Sequence, residues 1–213
     1  MLDFPGKTAC ILWFAGCNMR CPYCYNPEIV LGKGHKTMEE ALDFLASRMG
    51  LLEGVVFSGG ECTMHPGMVD LAVEAKRMGY AVKIDTNGSR PQVLRTLMDR
   101  QLIDYLALDF KALPEKYHLL TGSSLFTQFE ESLLMLIEAR QQFEVRTTVH
   151  SALLTTDDLQ LMASYLEQKN YRGVYYLQSY VNDVRTLAVL PRSSRRTGLE
   201  HELSSGLEVK IRA

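Results

Sequence analysis

The chain has 213 residues, a formal net charge of −2, 46% hydrophobic and 23% charged side chains, and five cysteines. That length supports one domain with a full core, and the near-neutral charge excludes a globally basic nucleic-acid binder. An odd cysteine count argues against a disulfide framework. No apolar stretch reaches the length of a membrane span, and Met1-Leu2-Asp3-Phe4-Pro5 lacks a signal-peptide pattern. The expectation is a cytoplasmic protein in a reducing compartment, with neither nucleic acid nor membrane as partner.

Short apolar or β-branched runs alternate with longer amphipathic stretches. They predict strands over 9–14, 54–57, 81–84, 105–108, 144–149 and 173–177. Between them, Thr37-Met38-Glu39-Glu40 forms a capping-box pattern that opens a helix closed by Gly50. Further helices are predicted over 68–78, ending at Gly79, and over 91–100, 126–142 and 157–168. Six strand–helix units in order imply a parallel sheet with right-handed crossovers. The continuous apolar run Cys10-Ile11-Leu12-Trp13-Phe14 suits a strand covered on both faces.

Six units are too few for a closed eight-fold barrel. The expected fold is α/β, a partial (β/α)6 TIM-like open barrel whose ligands bind at the C-terminal strand ends. One domain spans 1–213, with a basic loop at 191–198 and a short tail over 207–212. That loop is either a solvated connection or a docking element.

The chemistry-bearing motifs follow the predicted strands. Cys17-Asn18-Met19-Arg20-Cys21-Pro22-Tyr23-Cys24 places three cysteines at C-x3-C-x2-C spacing after the first strand. Three thiolates can hold three irons of a [4Fe–4S] cube and leave the fourth iron open, whereas electron-carrying clusters usually have four cysteines. A structural zinc site takes four ligands, commonly from two separated pairs, and this chain has one C-x2-C. Cys62 could be a fourth ligand, though nothing in the spacing demands it, and Cys10 suits a small buried hydrophobe.

Ser58-Gly59-Gly60-Glu61 follows the second strand, where two glycines permit a sharp turn and close approach to a ligand. Asp85-Thr86-Asn87-Gly88 ends the third strand and Asp109-Phe110-Lys111 the fourth. Alone, Asn-Gly marks a turn and Asp85 a helix cap. Together these tips suggest a polar ligand lying across neighbouring strands. Arg146 on the fifth strand is either a ligand carboxylate contact or a salt-bridge partner. His65 is expected to cap the helix after the second strand, and His150 is a loop histidine or a pocket residue.

The cysteine spacing, with aromatic Tyr23 before the third cysteine, resembles the radical S-adenosylmethionine (AdoMet) enzymes. The two aspartate motifs resemble the glycyl-radical-enzyme activases within that family. Leu2-Asp3-Phe4-Pro5-Gly6-Lys7, the cysteine loop and Tyr25-Asn26-Pro27-Glu28 resemble the activating proteins of anaerobic ribonucleoside-triphosphate reductase. Cys62 stands where the family usually has proline, and Tyr25 where it more often has histidine.

The resemblance implies a [4Fe–4S] cluster on Cys17, Cys21 and Cys24, with the Gly59, Gly60 and Glu61 backbone at the AdoMet amino group. It implies a monovalent cation held by Asp85, Thr86 and Asp109 beside the AdoMet carboxylate. Lys111 would meet that carboxylate, with Arg146 as a second contact. Tyr23, Tyr25 and Asn26 would shape the cluster surroundings and adenine pocket. The implied reaction passes one electron from the cluster to AdoMet, breaking a carbon–sulfur bond. The resulting 5′-deoxyadenosyl radical takes a hydrogen atom from a glycine Cα of a partner, here anaerobic ribonucleotide reductase. A flavodoxin or ferredoxin-type reductant and an anaerobic setting go with it. Alternatives are a radical AdoMet enzyme acting on a small molecule or peptide, and a non-catalytic iron–sulfur or zinc protein.

Overall fold

A computed structural model describes residues 3–194, 203 and 206–212. Seven strands form one sheet in sequence order: β1 (Ala9–Phe14), β2 (Gly54–Gly59), β3 (Ala81–Thr86), β4 (Tyr105–Asp109), β5 (Phe143–Val149), β6 (Tyr175–Ser179) and β7 (Val209–Arg212). Every neighbouring pair is parallel. The returns run through α1 (Pro27–Leu31), α2 (Met38–Ala46), α3 (Met68–Arg77), α4 (Pro91–Asp99), α5 (Pro114–Thr121), α6 (Phe126–Glu138) and α7 (Thr156–Gln168). This is the α/β, partial TIM-like barrel, with β1 and β7 as its two edges. Among the described residues no helix is long and apolar enough to cross a membrane.

Local signals account for most of the helices. Thr37 Oγ1 accepts the Glu40 N–H at 3.1 Å and the Glu40 carboxylate accepts the Thr37 N–H at 2.8 Å, so the capping box forms at α2. Thr155 and Asp158 repeat it at α7. The prediction for α6 runs past its end, because Arg140 adopts a φ of 50° and turns the chain out of the helix. Helices α1 and α5 are additional to those expected. Both open on a proline, and α5 closes on Gly122 in the left-handed region.

The seventh strand lies in the segment read from sequence as a tail. Val209 and Ile211 alternate with Lys210 and Arg212 over only four residues, too short a pattern to separate from a polar tail. The predicted basic loop is described as far as Ser194, where Ser193 bonds to Asn182 and Ser151. Its remainder, 195–198, lies outside the described residues.

Alternation along the strands sorts apolar from ionic side chains. Val82, Ile84, Leu106, Leu108, Val145 and Leu177 join the core with Leu71, Leu94, Phe129, Leu133, Leu159 and Met162 from the helices. The opposite face is charged. Lys83, 1% exposed, places its ammonium 2.7 Å from Asp85. Glu144, equally buried, accepts both Arg212 guanidinium nitrogens at 2.6 and 2.8 Å and the Tyr105 hydroxyl at 3.0 Å. Arg212 also lies 3.4 Å over the Tyr176 ring. Buried charges need such partners, since an isolated one costs several kcal/mol of desolvation.

Candidate functional site

A cavity of about 370 Å³ opens at the C-terminal strand ends, and all fourteen residues that sequence assigned to the cluster, AdoMet and cation line it. The cysteine loop forms one wall. Its Arg20 N–H donates to the Thr121 carbonyl at the end of α5, and its Arg20 guanidinium caps the Cys17 and Met19 carbonyls. The segment after β6 straps it from outside. There the Ala188 and Leu187 N–H groups donate to the Pro22 and Cys24 carbonyls at 3.0 and 3.1 Å. Val181 N–H donates to the Tyr25 hydroxyl at 2.7 Å, Tyr25 stacks on Tyr180, and Arg185 pairs with Glu28. Burial pushes the Cys17 thiol up to about 11 and raises that of Cys21. Thiolate formation in this loop therefore favours an electropositive ligand that displaces the proton.

The β2 tip cannot carry side chains at its glycines. A Cβ on Gly59 would fall on the Phe14 backbone, and one on Gly60 on the Gly16 carbonyl. The Gly60 and Glu61 N–H groups bond across to the Phe14 and Gly16 carbonyls at 2.8 and 2.9 Å. The Glu61 carboxylate is tied inward, accepting from the Thr63 N–H and hydroxyl, the Thr86 hydroxyl and the Asn87 N–H. Burial raises its pKa against those bonds. The Thr86 hydroxyl also accepts the Gly88 N–H at 3.0 Å, so it is committed within the loop.

Ionic pairs dominate the opposite wall. Asp85 meets Lys83, the Ser58 hydroxyl at 3.1 Å and the Arg146 guanidinium at 3.5 Å. Asp109 takes Arg146 Nε at 2.5 Å and Lys111 Nζ at 3.0 Å. Burial opposes ionisation of Asp109, but Arg146 and Lys111 outweigh it and hold its carboxyl down to about 2. The same attraction raises Lys111 and Arg146 against their own burial. Arg146 is the salt-bridge partner that one of its two readings expected, and it also lines the cavity.

Other candidates lie elsewhere. Cys62 is buried and outside the cavity wall, its thiol 3.4 Å from the Asp85 carbonyl. Half-buried Cys10 packs against the core from β1. His65 Nδ1 accepts the Gly67 N–H at 3.2 Å just ahead of α3. His150 is buried, with its ring on the Pro191 carbonyl and the Ala152 N–H, away from the cavity.

The Radical SAM superfamily model matches residues 11–165, a span holding the cysteine loop and every strand-tip motif above. The chain belongs to the Radical SAM superfamily. Its cofactors are a [4Fe–4S] cluster and AdoMet. The chain is 40% identical over 121 residues to a Methanocaldococcus jannaschii protein assigned by name to the glycyl-radical enzyme activating enzymes, covering 54% of this chain and 48% of that one. It is 35% identical over 95 residues to the pyruvate formate-lyase-activating enzyme of Clostridium pasteurianum, covering 41% and 40%. The chain thus spans about half the length of these relatives or less. Streptococcus suis SuiB bound to S-adenosylmethionine shares the fold, with a TM-score of 0.76 at 12% identity, covering 100% of this chain and 52% of that one.

The residues present fit both superfamily cofactors. Three thiols face the cavity. Among the described residues no three His, Cys, Asp or Glu side chains converge on a single ion, an arrangement a cube does not require, since each cysteine takes a separate iron. The Tyr23 hydroxyl is buried in this wall without a well-formed hydrogen bond. Across the cavity, Lys111 and Arg146 pair with Asp109, and Arg146 also reaches Asp85, which holds buried Lys83 behind the wall. Two cationic side chains thus line the place where an anionic ligand group would sit.

The structure adds residues that sequence reasoning missed. Trp13, 52% exposed, stands at the mouth, and Thr148, Gln178, Ser179, Val181 and Arg212 complete the wall from β5 to β7. Alternation places Thr148 two residues beyond Arg146, which was a usable signal. No motif marks Gln178 or Arg212.

Proposed function

We propose that this chain generates a glycyl radical on a partner enzyme, and that the partner is anaerobic ribonucleoside-triphosphate reductase. The observation that carries the radical chemistry is a juxtaposition: three thiols and the Lys111–Asp109–Arg146 array line one cavity. When bound, the cluster and AdoMet supply a one-electron carbon–sulfur cleavage that yields a carbon radical. In this reading Cys17, Cys21 and Cys24 hold three irons, and the fourth stays open to the AdoMet amino and carboxylate groups.

An ammonium is a donor, so it takes carbonyls of the Gly59–Glu61 turn, whose Gly60 and Glu61 N–H groups are already bonded. Lys111 and Arg146 exchange part of their hold on Asp109 for the AdoMet carboxylate. Tyr23, Tyr25 and Asn26 shape the wall around the cluster and adenine. The monovalent cation has Asp85 and Asp109 as candidate ligands. With Thr86 committed to Glu61 and Gly88, and Lys83 on Asp85, charge balance does not call for it.

Three features support a glycine substrate: the names of the relatives, the β1 and β7 edges, and exposed Trp13 at the mouth. A flavodoxin or ferredoxin-type protein supplies the electron, and one domain over 1–213 performs the reaction. The test is an anaerobic electron paramagnetic resonance (EPR) spectrum of reconstituted protein with reductant, AdoMet and the reductase. A glycyl doublet that requires AdoMet and Cys24 is the expected result. 5′-Deoxyadenosine without a doublet would move the substrate to a small molecule or peptide, and neither product from an intact cluster would overturn the reading.

A further inference from the structure

Two polar groups at the cysteine loop, the Asn87 amide and the Tyr23 hydroxyl, have no hydrogen-bonding role in the site described above. Asn87 is 4% exposed, and its amide orientation is fixed. Its Oδ1 accepts the Ser89 N–H at 3.0 Å, so its Nδ2 points the other way, to Asn18 Oδ1 at 3.0 Å and Cys17 Sγ at 4.0 Å. Asn18 in turn donates to Ser89 Oγ at 2.7 Å, closing the ring. Flipping the amide would set N–H against N–H. Tyr23, also 4% exposed, lies between Cys21 and Cys24 in the chain and lines the cavity. Its buried hydroxyl makes no well-formed hydrogen bond and has the Cys21 thiol as its neighbouring acceptor. Unpaired buried hydroxyls are rare and costly, and sulfur is the acceptor this wall offers.

We propose that the Asn87 amide and the Tyr23 hydroxyl are positioning residues that donate hydrogen bonds to the sulfurs of the cluster and its cysteine ligands, and so raise its reduction potential. Reduction adds one electron, whose density falls partly on sulfur. Donors therefore stabilise the reduced form more than the oxidised one. This rests on a cluster held by Cys17, Cys21 and Cys24, and is independent of the glycyl-radical substrate.

The test compares wild-type protein, Tyr23→Phe and Asn87→Leu, each reconstituted without AdoMet. Iron and sulfide are assayed first. Midpoint potentials then come from an anaerobic dithionite titration followed by EPR, dithionite being the one-electron donor. Both variants are expected to keep wild-type iron content and to shift to more negative potential, with altered g-values. Cluster-free Tyr23→Phe is expected to melt close to wild type, because its hydroxyl has only the weak Cys21 thiol contact to lose. An intact cluster with unchanged potential in Tyr23→Phe overturns the proposal, and that variant alone decides if Asn87→Leu fails to hold iron. Wild-type protein that takes up no iron would overturn the cluster assignment as well, so the two failures are distinguishable.

Discussion

Two carboxylates on either side of the β3 tip, Glu61 buried and Asp109 half-buried, have opposite fates. Glu61, after β2, is surrounded by neutral donors, two hydroxyls and two backbone N–H groups, and burial raises its pKa. Asp109, ending β4, is surrounded by Lys111 and Arg146 and is held down to about 2. The first carboxylate locks one loop to another and has no spare partner to give a ligand. The second shares Lys111 and Arg146 with the cavity they line, so its cationic partners can rearrange around an incoming anion. Carboxylates that look alike in sequence thus divide into scaffold and site by the charge of their donors.

The largest expected effect lies on the cysteine wall that both regions face. Cys17→Ala, Cys21→Ala and Cys24→Ala should each reduce AdoMet cleavage to background, measured as 5′-deoxyadenosine; full activity in any one breaks the cluster assignment. Next, Lys111→Met should weaken AdoMet binding about 10–100-fold, the loss of one charge-assisted hydrogen bond, while iron content holds. An equilibrium binding titration checks this, and unchanged affinity would erase the distinction between the two carboxylates. Glu61→Gln turns an acceptor toward donors. It should cost about 1–3 kcal/mol of stability in denaturant unfolding and leave AdoMet affinity within a few-fold.

The pH response separates the carboxylates by sign. Because the Asp109 pKa is lowered, its contribution is present above the ordinary carboxylate range and lost as pH falls toward about 2. The melting-temperature gap between wild type and Asp109→Asn should therefore close on acidification. Glu61, with a raised pKa, loses stability as pH rises through that range. The smallest effect is Cys62→Ser, which should retain the cluster, since that thiol lies outside the cavity on the Asp85 carbonyl. Loss of iron there would restore a four-cysteine site.

The starts of β1 to β4 were legible because the apolar run begins where the ladder does, whereas β6 was placed two residues early and β7 was read as a tail. The ends at Phe57, Ile84 and Leu108 fall short of the structure, since Ser58, Asp85, Thr86 and Asp109 stay in the strands while facing the cavity. Polar side chains there read as loop although their backbone is paired. The motifs from Cys17 to Lys111 were legible for the converse reason: each clusters unusual residues in a few positions. Gln178, Ser179 and Arg212 carry no such cluster, and only the register of β6 with β7 brings them to the cavity. Thr86 was read as a cation ligand from the family resemblance, and the Glu61 acceptor that takes its hydroxyl comes from the turn after β2, a partner the local motif does not show.

The strap over the cysteine loop bears on biogenesis. All three cysteines leave the ribosome before the N–H groups of Leu187 and Ala188 that bond the Cys24 and Pro22 carbonyls, which come more than 160 residues later. Contacts of such sequence separation form late, because loop closure must precede them. Iron and sulfide delivered to a nascent chain would meet three thiols in an unfinished loop. The expected order is therefore that β6 and the strap dock before a cluster on these cysteines is stably held.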